Sequence, residues 1–131
     1  MDRVRELRLV VTVDDYDEAL AFYRDALGLP EKGAFEAPNG GRVTILDAGR
    51  ATLEIANAAQ ADFIDEVEVG RRVAGKYRVA FEVTDAEGTT RRLAGAGAAV
   101  VAEPTPTPWN SLNARLDGPG GIQLTLFQEL G

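Results

Sequence analysis

No cysteine and no histidine occur in this 131-residue chain. Without cysteine, a disulfide framework, a thiolate metal site and a thiol nucleophile are all excluded. Without histidine, the commonest general base and the commonest transition-metal ligand disappear together. A Ser-His-Asp hydrolase built on Ser111 is excluded for the same reason. Positive charge is also scarce: 14 basic residues face 21 acidic ones, for a net charge of −7. Nucleic acid and anionic membrane surfaces need a basic footprint, so neither is expected as a partner, whereas a cationic ligand is mildly favoured. No stretch approaches the roughly 20 apolar residues of a membrane span. The lead-in Met1-Asp2-Arg3-Val4-Arg5-Glu6 has no apolar signal-peptide core, so a cytoplasmic protein is expected.

What is present reads as one globular domain, with 45% hydrophobic and 27% charged residues. Leu7–Val13 alternates as a strand, with Leu7, Leu9, Val11 and Val13 on one face. Asp15, with Glu18 three residues on, starts a helix; Ala19, Leu20, Tyr23, Ala26 and Leu27 follow at helical spacing, and Gly28 closes it. Short strands are expected near 34–36, 42–48 and 51–57, separated by turns at Pro38-Asn39-Gly40-Gly41 and Gly49-Arg50. Residues 58–75 carry weaker signals, a helical turn around 61–66 and then an irregular loop, and are read as a connector. The order then repeats: strand 77–83, helix 85–94, short strand 98–102, strand 111–116, a turn at 117–121 and strand 122–127. Pro104-Thr105-Pro106-Thr107-Pro108 must be extended and cannot join a central ladder.

Residues repeat along with the elements. A shift of 70 places Arg8, Val13 and Asp15 on Arg78, Val83 and Asp85, and a shift of 71 places Leu53-Glu54-Ile55 on Leu124-Thr125-Leu126. A duplicated βαβββ module is the economical reading: an α+β fold with modules 1–57 and 76–131 joined by connector 58–75.

Three stretches carry a resemblance. Val13 to Leu29, with Phe22-Tyr23 and Leu27-Gly28-Leu29, resembles the opening module of the vicinal-oxygen-chelate superfamily, the glyoxalase/bleomycin-resistance/dioxygenase-like proteins. Ala80-Phe81-Glu82-Val83-Thr84-Asp85 resembles the start of their second module. Asp117-Gly118-Pro119-Gly120-Gly121, followed by Ile122 to Phe127, resembles their closing turn and last strand, with one extra turn residue. The resemblance implies two modules curling into an open, barrel-like cup, a homodimer in many members, and a divalent metal held by the first and last strands of each module. Carried over by motif, those metal positions are Arg8, Glu54, Arg78 and Thr125. Only Glu54 suits a metal. Arginine offers no lone pair, and two guanidiniums repel a divalent cation. No metal and no cofactor are therefore expected.

Alternation splits each strand into two sets. The apolar set, which includes Leu7, Leu9, Val11, Tyr77, Val79, Phe81, Leu124 and Leu126, is assigned to the layer between sheet and helices. The mixed set, Arg8, Val10, Thr12, Thr52, Glu54, Ala56, Arg78, Ala80, Glu82, Gln123, Thr125 and Phe127, is either a wet face or the lining of the cup. Arg8, Glu54, Arg78, Glu82, Trp109, Asn113 and Thr125 are the candidate ligand-binding residues, and Glu54 is the candidate acid/base if the protein is an enzyme. Glu54 is read first as a salt-bridge partner of Arg8 or Arg78, with like-charged Glu82 near enough to perturb it. Trp109 divides between a stacking platform and a core or interface anchor. Asn113 and Arg115 share one strand face, which leans towards solvent. Phe35 leans towards ordinary packing. The Gly118–Gly121 turn lacks the Lys-Ser/Thr pair of a phosphate loop, and the acids at 14–18 fit a helix start better than a calcium loop. The leading expectation is a metal-independent binding protein for a small organic molecule, in drug or metabolite sequestration. The alternative is an enzyme using Glu54 as acid/base or within an atypical metal site.

Overall fold

The computed structural model describes residues 3–131; Met1 and Asp2 of the charged lead-in lie outside the described residues. Eight strands form one open sheet: β1 (Glu6–Thr12), β2 (Glu31–Glu36), β3 (Arg42–Asp47), β4 (Thr52–Ala56), β5 (Tyr77–Glu82), β6 (Ala99–Pro106), β7 (Ser111–Gly118) and β8 (Ile122–Glu129), in the spatial order β2-β3-β4-β1-β5-β8-β7-β6. Each half repeats one pattern, with β1 parallel to β4 and β5 parallel to β8. The halves meet at the centre of the sheet, where β1 and β5 run antiparallel with Leu9 opposite Val79. The α+β class and the two-module order expected from the sequence are those of the structure.

Local chemistry sets the helices. The carboxylate of Asp15 accepts from Glu18 N at 2.9 Å, and that of Asp85 from Gly88 N at 3.0 Å, so the residues matched by the 70-residue shift do the same work. The first helix departs from expectation. Its α-helical part, α1 (Tyr16–Leu20), passes into a π-helical turn over Ala21–Ala26, closed by Leu27 N donating to Phe22 O at 2.8 Å. Gly28, at φ 85°, ends it as the sequence implied.

The main correction concerns residues 58–75. In place of a brief turn, α2 (Ala58–Glu68) runs for 11 residues. Its cap was legible: Asn57 followed by Gln60 has capping-box spacing, and Asn57 Oδ1 accepts from Gln60 N at 2.9 Å. Apolar periodicity missed the helix because its inward face carries Gln60, Asp65 and Glu68, all buried. The last strand before the Trp109 loop, β6, is also longer than expected and reaches Pro106. It lies at the sheet edge, and its register slips near Ala102 and Thr105, where prolines cannot donate to a ladder.

The helices α1 and α3 (Ala86–Gly95) each seal a separate core on the convex face. One gathers Tyr16, Leu20, Leu46 and Ile55; the other gathers Val83, Ala86, Ala114, Leu116 and Leu126. The apolar strand set is therefore only partly covered. On the central strands Leu7 and Tyr77 remain exposed, Tyr77 at 60%, because the two helices pack over the flanks and leave the β1–β5 seam open. Among the described residues no helix is long and apolar enough to cross a membrane.

Candidate ligand-binding cup

The opposite, concave face is neither flat nor simply wet. All the strands but β6 contribute residues to the border of one cavity of about 470 Å³, and α2 lies across it as a further wall. That volume falls within the range of small-molecule sites. The hollow forms within a single chain.

Two sets of polar contacts pin α2 across the cup. At its start, Asn57 donates to Gly40 O at 3.1 Å and accepts from Arg42 N at 3.0 Å, and Asn39 donates to Ala59 O at 2.7 Å. Gly41 lies so close that an added Cβ would stand 2.8 Å from Gln60 Cα. At the other end, Arg115 donates to Asp65 at 2.8 Å and to Glu68 at 2.9 Å, while Asn113 donates to the second oxygen of Glu68 at 2.9 Å. Asp65 also accepts from the backbone of Val73 and Ala74, each at 2.7 Å, which orders the rest of the connector. Burial acts to raise the Asp65 carboxyl, but the donors from Ala74, Val73 and Arg115 outweigh it and hold Asp65 below the ordinary range.

The expectation that Asn113 and Arg115 face solvent is thus overturned. The Arg115 side chain has 0% exposure, and its charge is held between two carboxylates that the sequence places almost fifty positions away. Nothing local to Arg115 signals those partners.

The four positions carried over by motif do converge. Arg8, Glu54, Arg78 and Thr125 all border the cavity. Arg78 donates to Thr125 Oγ1 at 2.7 Å. Burial lowers the Arg78 pKa from the usual guanidinium value, yet an arginine remains cationic throughout the physiological range. Arg8 hydrogen-bonds Glu6, comes within 3.9 Å of Glu54, and rests over the Phe127 ring with 4.5 Å to its centroid. This donor set does not fit a divalent cation: two guanidiniums and a hydroxyl already bonded to one of them leave Glu54 as the lone anionic ligand. Among the described residues, no three of His, Cys, Asp and Glu are grouped to hold a metal ion.

Of the remaining candidates, Trp109 and Asn113 border the cavity. Trp109 is 41% exposed and meets Phe63 of α2, with ring centroids 6.2 Å apart, so the two aromatic rings flank the mouth. Phe35 also borders the cavity and is exposed, contrary to its reading as ordinary packing. Glu82 is the exception. It lies at the end of β5 opposite Glu6, outside the lining, because the strand runs past the rim. Glu82 is accordingly not the neighbour that perturbs Glu54. Burial raises the Glu54 carboxyl above its ordinary value, Arg8 and Arg78 oppose that, and the like charges acting on it are Glu6 and Glu68. The residues missed by sequence reasoning are those of α2, above all Gln60, Phe63, Asp65 and Glu68.

The raised carboxyl has a thermodynamic consequence. Between the ordinary glutamate value and the higher folded one, the native state holds the Glu54 proton more firmly than the unfolded chain does. Stability therefore falls as pH rises through that window and stays reduced above it. Glu54→Gln is expected to stabilise the fold at pH above the window and to make no difference below it. Urea unfolding of both proteins across a pH series checks this; equal pH profiles would contradict it.

The comparisons with known proteins agree with this geometry. The family model for the Glyoxalase/Bleomycin resistance protein/Dioxygenase superfamily matches residues 7–126, and the chain belongs to that superfamily. Within it, the fold resembles a hypothetical protein from Bacillus halodurans C-125 at TM-score 0.71 and 17% identity, over 98% of this chain and 94% of that one. It also resembles methylmalonyl-CoA epimerase from Mycobacterium tuberculosis, at TM-score 0.69 and 22% identity, over 98% and 90%. A variant of the Streptomyces coelicolor methylmalonyl-CoA epimerase, in complex with 2-nitronate-propionyl-CoA, matches at TM-score 0.68 and 19% identity, over 98% and 100%. No curated protein matches by sequence. At these identities the likeness establishes the fold.

Proposed function

We propose that this chain is a metal-independent small-molecule binding protein of the superfamily, which sequesters a drug or metabolite in the cup. The observation carrying this reading is the cavity itself: it is enclosed by α2 and lined by Arg8, Arg78 and Thr125 at three of the four positions where relatives place metal ligands. Apolar surface, including that of Val10, Val43, Ile45 and Phe127, makes up the larger part of the wall, as in organic-ligand sites, and charged and polar side chains are interspersed with it. Trp109 is the only tryptophan and stands at the mouth, so its fluorescence reports occupancy. Titration with a panel of cationic glycopeptides and small aromatic acids is expected to give a saturable change in emission. Metal analysis after dialysis is expected to find no stoichiometric metal; retained Mn, Fe, Ni or Zn at one per chain would overturn metal independence.

A second reading, an acid/base enzyme, is favoured by one observation. Glu54 has a raised pKa and borders the cavity together with Arg78, a cation able to stabilise an oxyanion. On that reading Glu54→Gln abolishes turnover while the fold and ligand binding persist.

We also propose a homodimer joined through the convex seam, where Leu7, Leu9, Val79 and Tyr77 form an apolar strip that neither helix covers. Light scattering coupled to size exclusion should give twice the chain mass, and Tyr77→Glu should shift it to one chain. A monomeric parent protein at micromolar concentration would refute the dimer.

A further inference from the structure

The sequence left the charge of the ligand undecided, since an acidic chain favours cations and two arginines in the cup favour anions. The structure shows which charges are already compensated. Arg8 is bonded to Glu6 and lies over Phe127, and Arg78 is bonded to Thr125 in the field of Glu68, Glu54 and Asp65. Carboxylates are in excess: Glu36, Glu54, Asp65, Glu68 and Glu129 border the cavity against Arg8 and Arg78. The charges paired with lining residues, Arg115 and Arg72 on the Asp65–Glu68 side and Glu6 on Arg8, narrow that excess by one and leave the cup acidic.

Among the described residues, one half-buried carboxylate of the lining has no protein donor. Glu54 accepts no hydrogen bond from the described residues, its contact with Arg8 being 3.9 Å. Gln60 is nine-tenths buried on the cavity side of α2, and its Oε1 has no partner. Gly41 packs against that oxygen, which is out of contact with solvent, so the amide belongs to the seat of α2 and is not open to a ligand. A carboxylate in a cavity without a donor is costly, and a ligand N–H at Glu54 relieves that cost. Phe35, Phe63 and Trp109 also border the cavity, and the faces of aromatic rings attract cations and apolar rings but not carboxylates.

We propose that the cup selects a cationic nitrogen compound on an apolar or aromatic body, a protonated amine or amidine, with Glu54 receiving the charge. The inference rests on the reading of the cup as a small-molecule site and adds the chemical class of its occupant.

Three probes of one shape separate the possibilities: 1-naphthylmethylamine, 1-naphthoic acid and 1-naphthylmethanol, titrated by calorimetry at neutral pH and low salt. The ammonium probe is expected to bind about tenfold or more tighter than the carboxylate, a difference of roughly 1.4 kcal/mol or more. Glu54→Gln should remove most of that preference. Preference for the carboxylate or the alcohol, or a preference untouched by Glu54→Gln, would overturn the cationic assignment and leave the cup a binding site. Failure of all three probes up to millimolar concentration, with no change in Trp109 emission, would instead bring down both readings. If Glu54→Gln fails to fold, the three-probe ranking on the parent protein decides the matter.

Discussion

Replacing Arg115 by methionine is expected to destabilise the protein by about 3–5 kcal/mol, the cost of breaking a buried ion pair from one side. A domain of this size is stable by roughly 5–15 kcal/mol, so the loss is a large share and should lower Tm by on the order of 10 °C or more. Arg115 is enclosed between Asp65 and Glu68, and all three side chains are essentially out of contact with water. Removing the guanidinium leaves two buried carboxylates with only Arg72, 3.5 Å from Asp65, paired to either of them. Their response is to take up protons or to pull α2 away from β7, which opens the cup. Adding Asp65→Asn and Glu68→Gln to Arg115→Met should recover much of the loss, because neutral amides can be buried at smaller cost. Chemical denaturation of the single and triple variants tests both halves. A near-neutral Arg115→Met would mean that α2 is not held by this cluster. The cluster is not expected to add great net stability over an apolar packing of equal volume; it fixes where the helix sits.

Gly41→Val should cost about 1–3 kcal/mol through overpacking. It should also disturb the mouth of the cavity more than its position on a turn suggests. A Cβ at residue 41 would stand within 3 Å of Gln60 N and Cα, backbone atoms that Asn57 and Asn39 tie to the hairpin. Relief requires shifting the first turn of α2, and with it the Gln60 amide. Gly95→Ala is the contrast: nothing lies within 4 Å of its Cβ position, and it sits in the last turn of α3. There, exchange for alanine should be neutral or stabilise by up to about 1 kcal/mol. Urea midpoints order the three proteins. If Gly41→Val matched Gly95→Ala, α2 would have room to move and the cup would be softer than its contacts imply.

These two expectations concern residues that local sequence reading treats very differently. Gly41 belongs to a recognisable turn, but its essential property is the approach of a helix that begins seventeen positions later. Arg115 alternates correctly along β7, and alternation assigns it with Asn113 to one face without saying what covers that face. Glu82 shows the converse error, since parity with Arg78 put it on the right face while the strand carried it past the rim. Periodicity resolves direction across a sheet; it does not resolve distance along one.

The sequence by itself determined the strands, through a period of two, and the starts of α1 and α3, through Asp15 and Asp85, because these depend on neighbours within a few residues. It determined the two-module order through the internal repeat, and it put arginines at two of the four positions that the family resemblance assigns to metal ligands. Tertiary structure alone decided that α2 crosses the cup, that Arg115 is enclosed, and that Glu54 borders the cavity without a protein donor. Those features arise where segments some fifty positions apart meet, and an acidic helix face reads as solvated until a buried arginine is found opposite it.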